Sequence, residues 1–148
     1  MIDLKTKKLS SGLKFTTKNT KYTLLGDPTF MNSSRFMGGR IGDISKRNKT
    51  RDGITLTSQH DEREFYKPPL KMLVLFYFRI PIRVSSKRSH MLSGDPHVSA
   101  PDVINCAKYI EEVSKGILFQ DNCFISTIEA HKLYDENPRA DFYIMELK

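Results

Sequence analysis

Four side chains in the second half of the chain, Asp102, Lys108, Glu112 and Asp121, are of the types that phosphodiester chemistry uses. Hydrolysing a phosphodiester needs a nucleophilic water, stabilisation of the charge building on the phosphate, and a stabilised leaving oxygen. A divalent cation held by carboxylates supplies much of all three. A hard cation such as Mg²⁺ takes oxygen ligands and keeps several waters, so two to four converging carboxylates suffice. A lysine beside them can hold the scissile phosphate or offset developing charge. Each residue also has a plain structural reading. Asp102 follows Pro101 at the start of a helical pattern and suits an N-cap. Lys108 and Glu112 stand at i, i+4 spacing, as in a solvated ion pair. Asp121 and Asn122 suit a turn between strands.

The elements that must position these groups are legible to different degrees. From Asp102 to Lys115, Val103, Ala107, Ile110 and Val113 recur at helical spacing on one face, and Gly116 provides the stop. Ile104 falls on the opposite face with Lys108, Glu111 and Lys115, where the pattern asks for a polar residue. The run Lys71 to Ile80, bounded by Pro68-Pro69 and Pro81, has the composition of a central strand covered on both faces. Ile117 to Phe119 is short and apolar. Phe124 to Tyr134 and Ala140 to Leu147, separated by the turn DENPR, suggest an antiparallel pair returning after the helix. Residues 1–25 favour one or two strands, through Thr16, Thr17, Tyr22, Thr23, Leu24 and Leu25. Residues 26–69 shift to Gly, Ser, Asn, Arg and Lys and read as a long mobile segment with one short helix around Gln59 to Phe65. The expected architecture is α+β: a mixed sheet with one main helix packed on a face, in a single domain over 1–148.

Charge is unevenly placed. Through residue 93 there are 19 Lys or Arg against 7 Asp or Glu; from Gly94 onward the counts are 5 against 10. A basic half attracts phosphate backbones, and an acidic half can hold divalent cations. Within 26–69 the bases Arg35, Arg40, Lys46, Arg47, Lys49 and Arg51 suit a phosphate-tracking arm, and a solvated loop fits them equally well. A second basic stretch, Arg83 to His90, carries Lys87 and Arg88. Apolar content of 39% excludes general disorder. Met72 to Phe78 is too short to span a membrane, and the N-terminus MIDLKTKK lacks the apolar core of a signal peptide, so an intracellular protein is expected. Cys106 and Cys123 lie among apolar neighbours and read as buried thiols. The four histidines, His60, His90, His97 and His131, lack the spacing of a zinc site.

From His97 the chain reads HVSAPDVINCAKYIEEVSKGILFQDNCFISTIEAHKLYDENPRADFYI. This resembles the RusA family of Holliday-junction resolvases. That family's pattern is a PDxDNxxK helix start, an acidic position four residues after the lysine, a glycine turn, a DD pair entering a strand, and a K-x-Y-x-x-x-PR hairpin. Pro101, Asp102, Asn105, Lys108, Gly116, Asp121, Lys132, Tyr134, Pro138 and Arg139 match, and Glu112 fills the acidic place. The strand Phe76 to Pro81 followed by SSKR and GDPH also agrees, so the resemblance covers about half the chain, from Lys71 to Lys148.

The resemblance implies a homodimeric endodeoxyribonuclease that resolves four-way junctions by paired nicking with Mg²⁺ or Mn²⁺. It implies catalytic roles for Asp102, Lys108 and Asp121, metal ligation by Asp102, Asp121, Asn122 and Glu112, and DNA contacts from Arg83, Lys87, Arg88, Lys132, Arg139, Arg47 and Lys49. Two family carboxylates are absent, since the second Asp of PDxDN is Ile104 and the DD pair reads Asp121-Asn122. Isoleucine cannot ligate a metal, and an amide oxygen lacks the charge that offsets a cation. A register making Gln120-Asp121 the pair fits less well with the spacing to Lys108 and Lys132. A resolvase with a reduced ligand set, an inactive relative that binds junction or duplex DNA, and an active protein altered by inactivating substitutions all fit. Outside the family, a basic nucleic-acid-associated structural protein is the remaining reading.

Overall fold

The computed structural model describes residues 20–31, 40–60, 64–81 and 92–147. The strand candidates Thr16 and Thr17, and the basic residues Arg35, Arg83, Lys87 and Arg88, lie outside the described residues.

Leu70–Arg79 forms the ten-residue strand β2. Its apolar run does not alternate because both of its faces are buried. Met72, Val74 and Phe76 are fully buried on one face, and Lys71 and Leu73 are 1% exposed on the other. A strand covered this way needs hydrogen-bonded neighbours on both edges. Ile125–Asp135 (β3) runs parallel on one side, and Arg139–Glu146 (β4) runs antiparallel on the other. Tyr22–Leu25 (β1) then pairs antiparallel with the far edge of β4, giving the order β1-β4-β2-β3.

This corrects the expectation that the two C-terminal strands pair with each other. They run in opposite directions, but β2 lies between them, and residues 136–138 carry the chain across its end. Two strand spacings are roughly 10 Å, within reach of three extended residues at about 3.3–3.6 Å each. The most apolar strand takes an interior place, hydrogen-bonded along both edges and buried on both faces.

Val103–Ser114 (α2) connects β2 to β3, the helical crossover that a parallel pair requires. Cys106, Ala107, Ile110 and Val113 bury its inner face in the core with Val74, Phe76, Phe142 and Ile144. Full burial of a side chain such as Phe76 contributes about 1.5–3 kcal/mol. Gly116, at φ 83°, turns the chain at the helix end. Ile104 is 66% exposed on the outer face, as its position in the pattern implied.

The second correction concerns residues 26–69. A twenty-residue helix, Arg40–Gln59 (α1), occupies the middle of that stretch in place of a long loop with a short helix near Gln59 to Phe65. Over 46–60 its buried positions are Asp52, Leu56 and His60, at i, i+4 and i+8. Two of the three are polar, so the helical period is nearly invisible to a hydrophobicity reading. The helix is held by specific bonds: Tyr109 donates to Asp52 Oδ2 at 2.5 Å, and the Tyr22 hydroxyl lies 2.9 Å from His60 Nδ1. Gln59 closes the outer edge of β1, accepting from Thr23 N and donating to Thr23 O, both at 2.9 Å. A side-chain amide thus supplies what another strand would have offered.

The architecture is α+β with a four-stranded mixed sheet and two helices. Cys106 is buried as expected. Cys123 is exposed, contrary to expectation, because it sits in the 3₁₀ turn Asn122–Phe124 where the chain enters β3. Among the described residues no helix is long and apolar enough to cross a membrane.

Candidate active site

The candidate site residues fall at the two ends of α2. At the N-terminal end, Asp102 holds the N-cap position with φ −65° and ψ 143°, yet its side chain makes no capping bond and is exposed. The plain reading of Asp102 as a helix cap therefore applies to its backbone alone, whose carbonyl accepts from Cys106 N at 3.1 Å. The carboxylate is left facing solvent.

Lys132, on β3, reaches the same end of the helix. Its ammonium donates to Ser99 O at 2.5 Å and Pro101 O at 2.6 Å, and it lies 5.7 Å from the Phe78 ring centroid. His97 stacks on Phe78 at 4.0 Å and tilts against Tyr134 at 4.9 Å. Burial and the Lys132 charge hold the His97 imidazole below its usual range, which keeps it neutral near pH 7. Its Nδ1 is buried without a hydrogen-bond partner. Burial pushes the Cys106 thiol up to about 11, so it is no nucleophile.

At the C-terminal end, Asn122 Nδ2 donates to Glu112 Oε1 at 3.1 Å, and Lys49 Nζ from α1 lies 3.9 Å from Glu112 Oε2. Asn122 Oδ1 is buried without a partner. Asp121 accepts from Cys123 N at 3.0 Å, and that backbone bond holds its carboxyl below the usual range. An aspartate in place of Asn122 would set two carboxylates face to face, which repel unless a cation lies between them. The amide removes that repulsion by bonding Glu112 directly.

Asp102 and Glu112 are ten positions apart on one helix, about 15 Å at 1.5 Å per residue. One copy of the chain therefore does not bring Asp102 together with Glu112, Asp121 and Asn122. Among the described residues of one copy no three His, Cys, Asp or Glu side chains converge on one point. Lys108 is exposed on the outer face of α2. With Glu112 occupied by Asn122 and Lys49, no ion pair joins it to Lys108 among the described residues.

The candidate DNA contacts also divide. Arg47 is exposed on α1 and Lys49 is half-exposed beside Glu112. Arg139 is engaged within the fold, donating from Nε to Asp141 Oδ2 at 3.0 Å and from a terminal nitrogen to Asn137 O at 2.8 Å, with Asp135 3.4 Å away and the Tyr77 ring 4.0 Å beneath it. A guanidinium so held is a poor candidate for a phosphate. Asp52, the buried carboxylate linking the helices, escaped sequence reasoning because it reads as one more charge in a polar stretch. The i, i+4, i+8 series Asp52, Leu56, His60 was the one available signal.

Comparison with known proteins adds two findings. The model of the family described as endodeoxyribonuclease RusA matches residues 43–145. The uncharacterized protein YqaN of Bacillus subtilis (strain 168) is 24% identical over 136 residues, an alignment spanning 86% of this chain and 96% of that protein.

Proposed function

Since the chain belongs to the RusA family of endodeoxyribonucleases, we propose that it is a single RusA-like domain that binds four-way DNA junctions inside the cell as a homodimer. In this reading it resolves junctions by nicking two like strands, aided by Mg²⁺ or Mn²⁺. The observation that carries the reading is the placement of Asp102 and of Glu112, Asp121 and Asn122 at opposite ends of one helix with an exposed outer face. Ile104, Lys108, Glu111 and Lys115 follow the four-three-four spacing of a helix-pairing seam along that face. Two copies of α2 packed antiparallel about a two-fold axis set Lys108 against Glu111 of the partner subunit and Ile104 against the stem of Lys115 of the partner subunit. The pairing is self-complementary, as an isologous interface must be. It carries Asp102 of each copy toward the partner's Asp121 end and forms two equivalent sites, as paired cutting requires.

In such a site Asp102 from one copy, with Asp121, Glu112 and the neutral Asn122 from the other, would hold the cation, which supplies charge stabilisation and an activated water. Lys108, paired with Glu111 of the partner subunit in this arrangement, adds positive charge between the two sites without itself contacting the phosphate. DNA affinity comes from phosphate contacts of Arg47, Lys49 and the basic stretch containing Arg83, Lys87 and Arg88.

A second reading, a junction- or duplex-binding relative without nuclease activity, is favoured by the exposed Ile104 and by the Asn122 to Glu112 bond, which joins those two side chains directly without metal. Incubation of the purified protein with a labelled four-way junction, in EDTA and in Mg²⁺ or Mn²⁺, separates the two. Symmetric metal-dependent nicks are expected. A gel shift without nicks in either metal supports the binding protein instead.

A further inference from the structure

We infer that Lys132 is a positioning residue: it anchors the segment leading into α2 and thereby sets where Asp102 stands. A lysine ammonium has three donors, and here two are taken by the carbonyls of Ser99 and Pro101, at 2.5 and 2.6 Å. Pro101 is the residue immediately before Asp102. The segment has little else to hold it. Val98 is 87% exposed, so apolar packing contributes little, and the backbone ties lie at the segment's two ends, His97 N to Lys132 O at 2.9 Å and Cys106 N to Asp102 O at 3.1 Å. Asp102 itself makes no side-chain capping bond, so its location depends on the backbone around it.

Strand β3 is rigidly paired to β2 through a long register, and its C-terminal part also bonds Gly94 and Asp95 through Tyr134. Lys132 thus extends from a strand held in register with β2 to the segment that carries Asp102. Hydrogen bonds donated by an ammonium are roughly twice as strong as those between neutral groups. The same geometry commits two of the three ammonium donors to the protein, which makes Lys132 a weaker candidate for a phosphate contact than a lysine with all three donors in solvent. The inference rests on the reading of Asp102 as a site carboxylate for its functional meaning, while the anchoring can be tested by itself.

The test compares the full-length protein with Lys132→Met and Lys132→Arg. Amide hydrogen exchange should rise about tenfold or more over residues 99–106 in the Met variant, since charge-assisted bonds are lost there. It should stay unchanged in β2 and β4 and return toward the parent in the Arg variant, which can still donate to both carbonyls. In EDTA, the dependence of junction affinity on salt should keep its slope in Lys132→Met, whereas Arg47→Ala, the phosphate-contact control, should be shallower by about one. In an Ile104→Asp, Asn122→Asp background, adding Lys132→Met should weaken Mn²⁺ binding about tenfold with recovery in the Arg variant. Unchanged exchange over 99–106, a rise spread evenly through the sheet, or a shallower salt slope for Lys132→Met overturns the inference. Absence of Mn²⁺ binding by the background variant counts against the shared metal site, and the exchange result still decides the role of Lys132.

Discussion

Tyr109 and Asp52 join the two helices through one interior bond. The phenol of Tyr109, 1% exposed on α2, donates to Oδ2 of Asp52, 4% exposed on α1, while Arg51 Nε lies 3.1 Å from the other carboxylate oxygen. Burial and this bond push the Tyr109 hydroxyl well above its usual range, so it remains a donor throughout the working pH range. The bond gives α1 a fixed place against α2 that its sparse apolar residues do not specify.

Tyr109→Phe should therefore lower stability by about 1.5–3 kcal/mol, the range for a hydrogen bond to a charged group whose partner is left buried. Urea unfolding measures it. A Tyr109→Phe, Asp52→Asn double-mutant cycle should show strong coupling, and simple additivity would mean the bond contributes little.

His97 gives stability a pH dependence with a definite sign. Its imidazole is held below the ordinary 6.5, by burial first and Lys132 second, so the unfolded chain takes up a proton more readily than the folded one. Its contribution is complete above 6.5 and is lost as pH falls through that value toward the folded pKa. Thermal melting from about pH 7.5 to 5 should show a decline that is shallower in His97→Phe, which keeps the stack on Phe78 and cannot titrate. Superimposable profiles for parent and variant would remove His97 from the account.

Restoring the two absent carboxylates is expected to restore a metal site. Ile104→Asp and Asn122→Asp together should raise Mn²⁺ affinity by titration calorimetry and increase junction cleavage strongly, with more than the sum of the single effects, because ligands of one ion act as a unit. DNA binding in EDTA should change little. A double variant that neither binds Mn²⁺ nor cuts would end the assignment of those positions. Strong Mg²⁺-dependent cutting by the unmodified chain, abolished by Asp102→Ala or Asp121→Ala, would mean that the reduced set suffices.

The helix seam has a charge signature. Lys108→Glu should weaken dimerisation about tenfold or more, since it places like charges together at two symmetry-related positions. Adding Glu111→Lys should restore it by exchanging the partners' signs. Sedimentation equilibrium reads both effects. Equal association by the parent, the single variant and the double variant would place the two-fold contact elsewhere.

The sequence by itself determined the parts of this protein whose physics is local. The unbroken apolar run Met72 to Phe78 had to be a strand covered on both faces, and it forms the body of β2. The period of Ala107, Ile110 and Val113, stopped by Gly116, had to be a helix with one buried face. The spacing from Pro101 to Arg139 carried the family. Tertiary structure decided what depends on distant partners. Helix α1 is specified by Asp52 meeting Tyr109 and by His60 meeting Tyr22, polar bonds across 57 and 38 residues that leave no hydrophobic period in the chain. The separation of β3 and β4 follows from β2 lying between them, parallel to one and antiparallel to the other, a pairing between strands far apart in the chain. The division of the candidate site was hidden for the same reason: residues close in a motif stand about 15 Å apart once a helix separates them. Lys132, a lysine on a strand by its pattern, is turned onto two carbonyls by a loop that reaches it only in three dimensions.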